Sequence, residues 1–166
     1  LMDRQINAER AWAIPYKIYK EVGTFNIYKL KEKGKGYYKE LFNKNKFHRF
    51  NNDMAEIFYN GICRIIDKYE GKANKIWNDN PSSAAIVYRF LEFDGCGIKI
   101  ATMAANILAR QFKIPMLDYY CIDISPDVHI RRVLYRRGFV EKEASPDMVI
   151  YKARELNPEF PGLIDF

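Results

Sequence analysis

Lys99 stands two residues beyond the second glycine of Gly95-Cys96-Gly97, inside the stretch LEFDGCGIKIATMAANIL from Leu91 to Leu108. A Gly-x-Gly turn that opens a helix points backbone N–H groups outward at the positive end of the helix dipole. That arrangement accepts a phosphate oxygen. Lys99 then falls on the first helical turn. A second polar group, Asp127, opens the segment PDVHIRRVLYRRGF from Pro126 to Phe139, where a carboxylate caps the exposed N–H groups of a following helix. Glycine turns between helices are common where nothing binds, so the turn alone equally describes a plain helical hairpin. Cys63, Cys96 and Cys121 are an odd number without metal-type spacing and read as reduced core or loop thiols.

These residues need helices to position them. Ile100, Met103, Ala104, Ile107 and Leu108 recur at helical spacing, which predicts a helix from near Gly97 that buries this face. Pro81 to Glu92 predicts the preceding helix, with Pro81 in its first turn and Asn80 as its cap. Leu1 to Gly23 reads as helical, with Pro15 kinking it or opening a second helix. Thr24 to Arg49 is the most basic region, with Lys29, Lys31, Lys33, Lys35, Lys39, Lys44, Lys46 and Arg49 interleaved with aromatic residues. Gly34 and Gly36 break it into two short helices. Such a run is a solvated face or a set of phosphate contacts. Asn51 to Tyr69 carries Met54, Ile57, Phe58, Ile62, Ile65, Ile66 and Tyr69 on one helical face, and Gly71 ends it. Ala73 to Trp77 is a short helical turn. Lys113 to Pro126, with Tyr119 and Tyr120, is irregular. Asp127 caps a helix that Gly138 terminates, and Ser145-Pro146-Asp147 opens a last helix to about Leu156, followed by loop from Asn157 to Phe166. No strand alternation is long enough to predict a sheet.

The chain has 166 residues, 48% of them apolar and 15% aromatic, and a net charge of +6. That length makes one domain or two small lobes, and the charge favours polyanionic partners such as nucleic acid. No run of eighteen apolar residues and no signal-peptide pattern occurs, so a cytoplasmic protein without membrane contact is expected.

The segment Asp94-Gly95-Cys96-Gly97-Ile98-Lys99-Ile100-Ala101 resembles the helix-hairpin-helix of the endonuclease III superfamily of DNA glycosylases (the helix-hairpin-helix GPD group). There the loop reads Leu-Pro-Gly-Val-Gly-x-Lys-Thr-Ala, and the nucleophilic lysine falls on Lys99 without a gap. Asp94 replaces the usual proline and Ile100 the usual threonine. The Asp127 segment resembles the family's Val-Asp-x-His-x-x-Arg-Val, with Asp127 on the catalytic aspartate, His129 on the histidine, and Arg132 and Val133 on the Arg-Val pair. Gln5, in LMDRQINAERAW, falls on a glutamine that the family presents to DNA near the flipped nucleotide. The motifs follow the family's order over nearly the whole chain.

The resemblance implies an all-α, two-lobed helical glycosylase fold over residues 1–166, with the hairpin at about 81–109 and a cleft between the lobes. It implies excision of a damaged base from double-stranded DNA with associated abasic-site lyase activity. Lys99 forms the Schiff base, Asp127 assists, and Gly95, Gly97 and Gln5 contact DNA. Lysine at this position distinguishes members that also cut the strand from those that only remove the base. Two other readings are a non-catalytic helix-hairpin-helix DNA-binding module and a glycosylase without lyase activity. His129 reads as structural, packed and hydrogen-bonded.

Two departures from the family pattern stand out. The 28 residues from Lys99 to Asp127 exceed the family's usual spacing, which puts an insertion in residues 113–126. Asp118 has nearer the usual spacing but lacks the following histidine and arginine, and is the alternative carboxylate. Many members continue into a four-cysteine loop holding a 4Fe-4S cluster. This chain contains no such cysteines, so either the branch lacks the cluster or a longer parent chain supplies it. The start, where Leu1 and Met2 read as the interior of an element, makes a fragment the expectation. A monomer is expected.

Overall fold

The computed structural model describes residues 2–118 and 121–165, and all regular structure among them is helical. Eight α-helices run in order: α1 Ala8–Val22, α2 Ile27–Glu32, α3 Gly34–Asn45, α4 Asn51–Tyr69, α5 Ser83–Leu91, α6 Ile98–Arg110, α7 Val128–Arg136 and α8 Pro146–Leu156. Short 3-10 turns cover Ala73–Ile76 and Pro161–Asp165. None of the helices is long and apolar enough to cross a membrane. The expectations placed on Leu1, Tyr119, Tyr120 and Phe166 lie outside the described residues.

The chain divides into two compact units, Leu1–Lys75 with Phe93–Gly95, and Ile76–Glu92 with Cys96–Phe166. In the first, α2 and α3 pack on α4, around a core containing Ile14, Ile18, Tyr38, Phe42, Met54 and Ile62. Tyr38 is fully buried and donates its hydroxyl to the Leu30 carbonyl at 2.8 Å, which satisfies the one polar atom it takes inside. Burial pushes its phenol well above the ordinary tyrosine range.

The second unit has two cores. In one, Ala105 and Ala109 of α6 pack with Ile86 of α5 and with Met116 and Ile122. In the other, Ile124 packs with Leu134 of α7, Ala144, and Val149, Ile150 and Ala153 of α8. The extended residues 121–127 contribute to both, with Ile122 in one and Ile124 in the other.

Several elements differ from the sequence expectation. Gln5 precedes α1 instead of lying on it, because Asn7 caps that helix by accepting from the N–H groups of Glu9 and Arg10. Pro15 sits inside α1. The cap of α5 is Ser82, whose Oγ accepts from Ala85 N at 3.1 Å, while Asn80 takes a left-handed φ of +51° in the preceding turn. Residues 161–165, expected as loop, form a 3-10 turn.

The largest difference is in α6. Its buried residues are Ala101, Thr102, Ala105, Asn106, Leu108 and Ala109, whereas Ile100, Met103, Ala104 and Ile107 are only half-buried. The helix is rotated from the apolar expectation because two of its polar side chains find hydrogen-bonding partners inside the unit, in the segment that leads to Asp127.

Candidate functional site

The glycine turn is held from one side by α4. Phe93 is buried and stacks on Tyr69, with ring centroids 6.3 Å apart and planes 6° apart. Asn60 Nδ2 donates to Asp94 Oδ2 at 2.8 Å. Gly95 has φ +73°, and a Cβ there would lie 2.7 Å from Ile57 Cδ1. The left-handed backbone favours glycine at this position, and any Cβ there would push the tip of the Ile57 side chain aside.

Cys96 is buried, and burial pushes its thiol up. Gly97 caps α6 with extended backbone (φ −88°, ψ 176°), supplies no side-chain cap, and faces open space where a Cβ would be. The first N–H groups of a helix have no partner within it. At α6 the Ile100 N–H donates to the Gly97 carbonyl at 3.0 Å, and Gly97 itself is exposed, with no side chain over the start of the helix.

Lys99 is half-buried on the first turn of α6. Thr102 and Asn106 follow it along the same ridge, at spacings of three and four. Thr102 is 1% exposed. Its hydroxyl has its one proton to give to the carbonyls of Ile98 at 2.8 Å or Lys99 at 3.2 Å, and Ser125 Oγ lies 3.3 Å away. Ser125 is itself buried, and its carbonyl accepts from Asp127 N at 2.7 Å. Lys99 and Asp127 therefore belong to one unit, and Thr102 and Ser125 lie between their main chains, on the Lys99 carbonyl at one end and the Asp127 N–H at the other.

Asp127 is half-buried and caps α7. Its Oδ1 accepts from the N–H groups of His129 at 2.8 Å and Ile130 at 2.9 Å. A concavity of about 170 Å³ lined by Asp127, Arg131, Pro146 and Val149, among others, opens beside it. His129 contributes its backbone to this cap, but its side chain is exposed. The expectation of a packed histidine is therefore corrected: it sits at the open end of the helix, where α7 buries only Leu134.

Asp118, the alternative carboxylate, accepts from the Ser83 N–H with Oδ1 and from Ser83 Oγ at 3.0 Å with Oδ2. Both oxygens are thereby committed to the start of α5. Gln5 is exposed at φ +55°, in the first unit.

Thr102, Asn106, Ser125 and Asp165 are the polar residues that sequence reasoning missed. Asp165 Oδ2 accepts from Ser125 N at 2.8 Å and from Asn106 Nδ2 at 3.4 Å. Burial holds the Asp165 carboxyl above the usual carboxylate range, and the charge of Asp127 adds to this. Hydrogen bonds from Ser125 and the Arg110 guanidinium pull the other way. A signal for the helix residues was present, since Lys99, Thr102, Asn106 and Arg110 form a polar stripe at three-four-four spacing through an otherwise apolar helix.

Three of the basic-region lysines are drawn into ion pairs. Lys35 and Lys39 meet Glu56 at 2.9 and 3.1 Å, and Lys31 meets Asp67 at 3.7 Å. The thiols of Cys63, Cys96 and Cys121 are half-buried, buried and exposed respectively. Among the described residues no group of three or more His, Cys, Asp or Glu side chains gathers as a metal site. No family model, no curated protein and no solved structure matches the chain.

Proposed function

We propose that this protein is a base-excision DNA glycosylase with abasic-site lyase activity, in which Lys99 is the nucleophile and Asp127 assists it. The observation that carries the reading is a lysine on the first turn of a glycine-opened helix and a helix-capping carboxylate in the same unit, with Thr102 and Ser125 between their main chains. The commitment of both Asp118 oxygens to Ser83 favours Asp127 as the carboxylate.

The chemistry follows from these groups. A base inside a duplex is out of reach, so the damaged nucleotide is extruded before reaction. The open α6 N-terminus at Gly97 holds a backbone phosphate beside it, which sets position without reading sequence. Lysine is an ammonium at neutral pH, so its Nζ first gives up a proton, which Asp127 accepts directly or through one water. The free amine attacks the sugar C1′ and the C1′–N bond breaks, with its electron pair leaving on the base. The departing base takes up the proton that Asp127 accepted, and the carboxylate so restored stabilises the positive charge that develops on the sugar. Ring opening gives an imine between Lys99 Nζ and C1′. Loss of a C2′ proton then expels the 3′ phosphate by β-elimination and cuts the strand. Hydrolysis of the imine returns the amine. Gln5, exposed at a positive φ ahead of α1 in the first unit, is a proposed DNA contact of that unit.

Duplex oligonucleotides, each carrying one oxidised or otherwise damaged base, test the reading when free base and strand scission are followed separately. Release of base together with cleavage on at least one lesion is expected. Base release from an intact strand would instead indicate a glycosylase without lyase chemistry. Binding with neither product would indicate a module that only holds DNA.

A further inference from the structure

The C-terminal turn bears on the reacting pair from beneath. Asp165 reaches back 40 residues to accept from the Ser125 N–H at 2.8 Å and also meets the Asn106 amide. Three further contacts clamp the same extended segment. Gly162 N donates to the Ile122 carbonyl at 2.8 Å. A Cβ on Gly162 would lie 2.6 Å from that carbonyl oxygen and 2.9 Å from Asn106 Oδ1, so the turn lies against the extended segment as closely as glycine permits. Arg154 of α8 grips Asp123 with two hydrogen bonds of 2.7 Å, the two-pronged geometry that fixes direction as well as distance. Asn106 Nδ2 donates to the Asp123 carbonyl at 3.2 Å. Residues 122–125 are thus held on both sides, and only Pro126 separates them from Asp127.

Burying a carboxylate is costly unless it does something the fold needs. Burial and the neighbouring Asp127 hold the Asp165 carboxyl above its usual range, against the hydrogen bonds from Ser125. What the carboxylate supplies is an acceptor for the Ser125 N–H, an orphan in an extended segment that pairs with no neighbouring strand. Ser125 in turn lies against Thr102, whose hydroxyl donates to the carbonyl of Ile98 or of Lys99 on the first turn of α6.

We infer that Asp165 is the positioning residue of the reacting pair, fixing Ser125 and through it both Asp127 and the first turn of α6 that carries Lys99. This rests on the glycosylase–lyase reading above. Asp165 touches neither DNA nor the reacting atoms; it acts by holding the segment that presents the carboxylate.

The test is steady-state cleavage of a duplex with one abasic site by the full chain as wild type, Asp165→Ala, Asp165→Asn and Thr102→Val, with thermal unfolding of each. Displacement of a catalytic group by about an ångström costs on the order of tenfold to a hundredfold in rate. A loss of that size in kcat is expected for Asp165→Ala, with KM unchanged within about twofold, because the DNA contacts stay in place. Asp165→Asn recovers most of it, since an amide oxygen still accepts from the Ser125 N–H. Thr102→Val keeps the volume and removes the hydroxyl, and it too lowers kcat; it carries the test if the alanine variant does not fold. A folded Asp165→Ala or Thr102→Val with wild-type kcat would overturn the positioning role while leaving the lyase reading intact. A wild-type protein that cleaves no abasic site would instead overturn the reading itself, and the positioning role with it.

Discussion

Asp127 holds its charge and its helix cap on one carboxylate, and two substitutions separate them. Asp127→Asn keeps an oxygen for the N–H groups of His129 and Ile130. Its unfolding midpoint should match the wild type while strand cleavage falls by about a hundredfold or more, the usual worth of a positioned acid–base group. Asp127→Ala should lose the same activity and also about 1 kcal/mol of stability with the cap. Equal cleavage by wild type and Asp127→Asn would remove Asp127 from the chemistry.

Asp165 gives a second residue-scale prediction, from its raised folded-state proton affinity. A carboxyl with that shift favours the folded state while it is protonated, and the contribution disappears as pH rises through its folded value. Asp165→Asn, which is always neutral, should therefore raise the unfolding midpoint at neutral pH, and the gain should shrink as acid protonates the wild-type group. The groups around that carboxyl are Ser125, Asn106, Asp127 and Arg110. A midpoint difference that does not change between neutral and acid pH would contradict this. Residues of this kind divide sharply in legibility. Asp127 announces itself by its place ahead of a helix, whereas Asp165 acts on a segment 40 positions away that no local pattern connects to it.

At the scale of elements, the glycine turn makes opposite predictions for its two glycines. Gly95 at φ +73°, against Ile57, should resist substitution: Gly95→Ala is expected to cost at least about 1 kcal/mol in thermal or denaturant unfolding. Gly97 has ordinary extended backbone and open space around it. Gly97→Ala should leave stability within about 0.5 kcal/mol but weaken binding to duplex DNA, because its methyl group stands where a phosphate oxygen would approach. Wild-type affinity in that variant would show that the α6 N-terminus holds no phosphate.

The elements that sequence patterning located best are α4 and α8. The first has a long apolar period, and the second has a serine cap with proline at its first position. The buried face of α6 departs from the apolar period because Ile100, Met103 and Ile107 carry the periodicity while mainly small and polar residues carry the burial. Hydrophobicity cannot rank a threonine and an asparagine whose partners lie in an irregular segment of the chain. Gln5 was placed on a helix because its surroundings are helix-compatible, although Asn7 was available as the cap that starts α1 after it.

For the whole molecule, the net charge of +6 matters only where it is not already spent within the fold. Glu56 is held below the usual carboxylate range by hydrogen bonds from Lys35 and Lys39, which take part of the basic region out of play. Lys44 and Lys46 are exposed outside those ion pairs and are the better candidates for phosphate contact. Each phosphate neutralised contributes about 0.9 to the slope of log affinity against log salt on duplex DNA. The double substitution of Lys44 and Lys46 by glutamine should flatten that slope by up to about two such contributions; an unchanged slope would mean that this face stays in solvent.

The central claim is that Lys99 is the nucleophile, and borohydride trapping tests it most directly. Borohydride reduces a Schiff base to a stable amine, which leaves protein and DNA covalently joined. Wild-type protein incubated with abasic-site duplex and borohydride is expected to give an adduct whose DNA-bearing peptide contains Lys99, and Lys99→Ala should give none. An adduct of undiminished yield from a folded Lys99→Ala variant, or no adduct from wild type that binds the same duplex, would contradict the account.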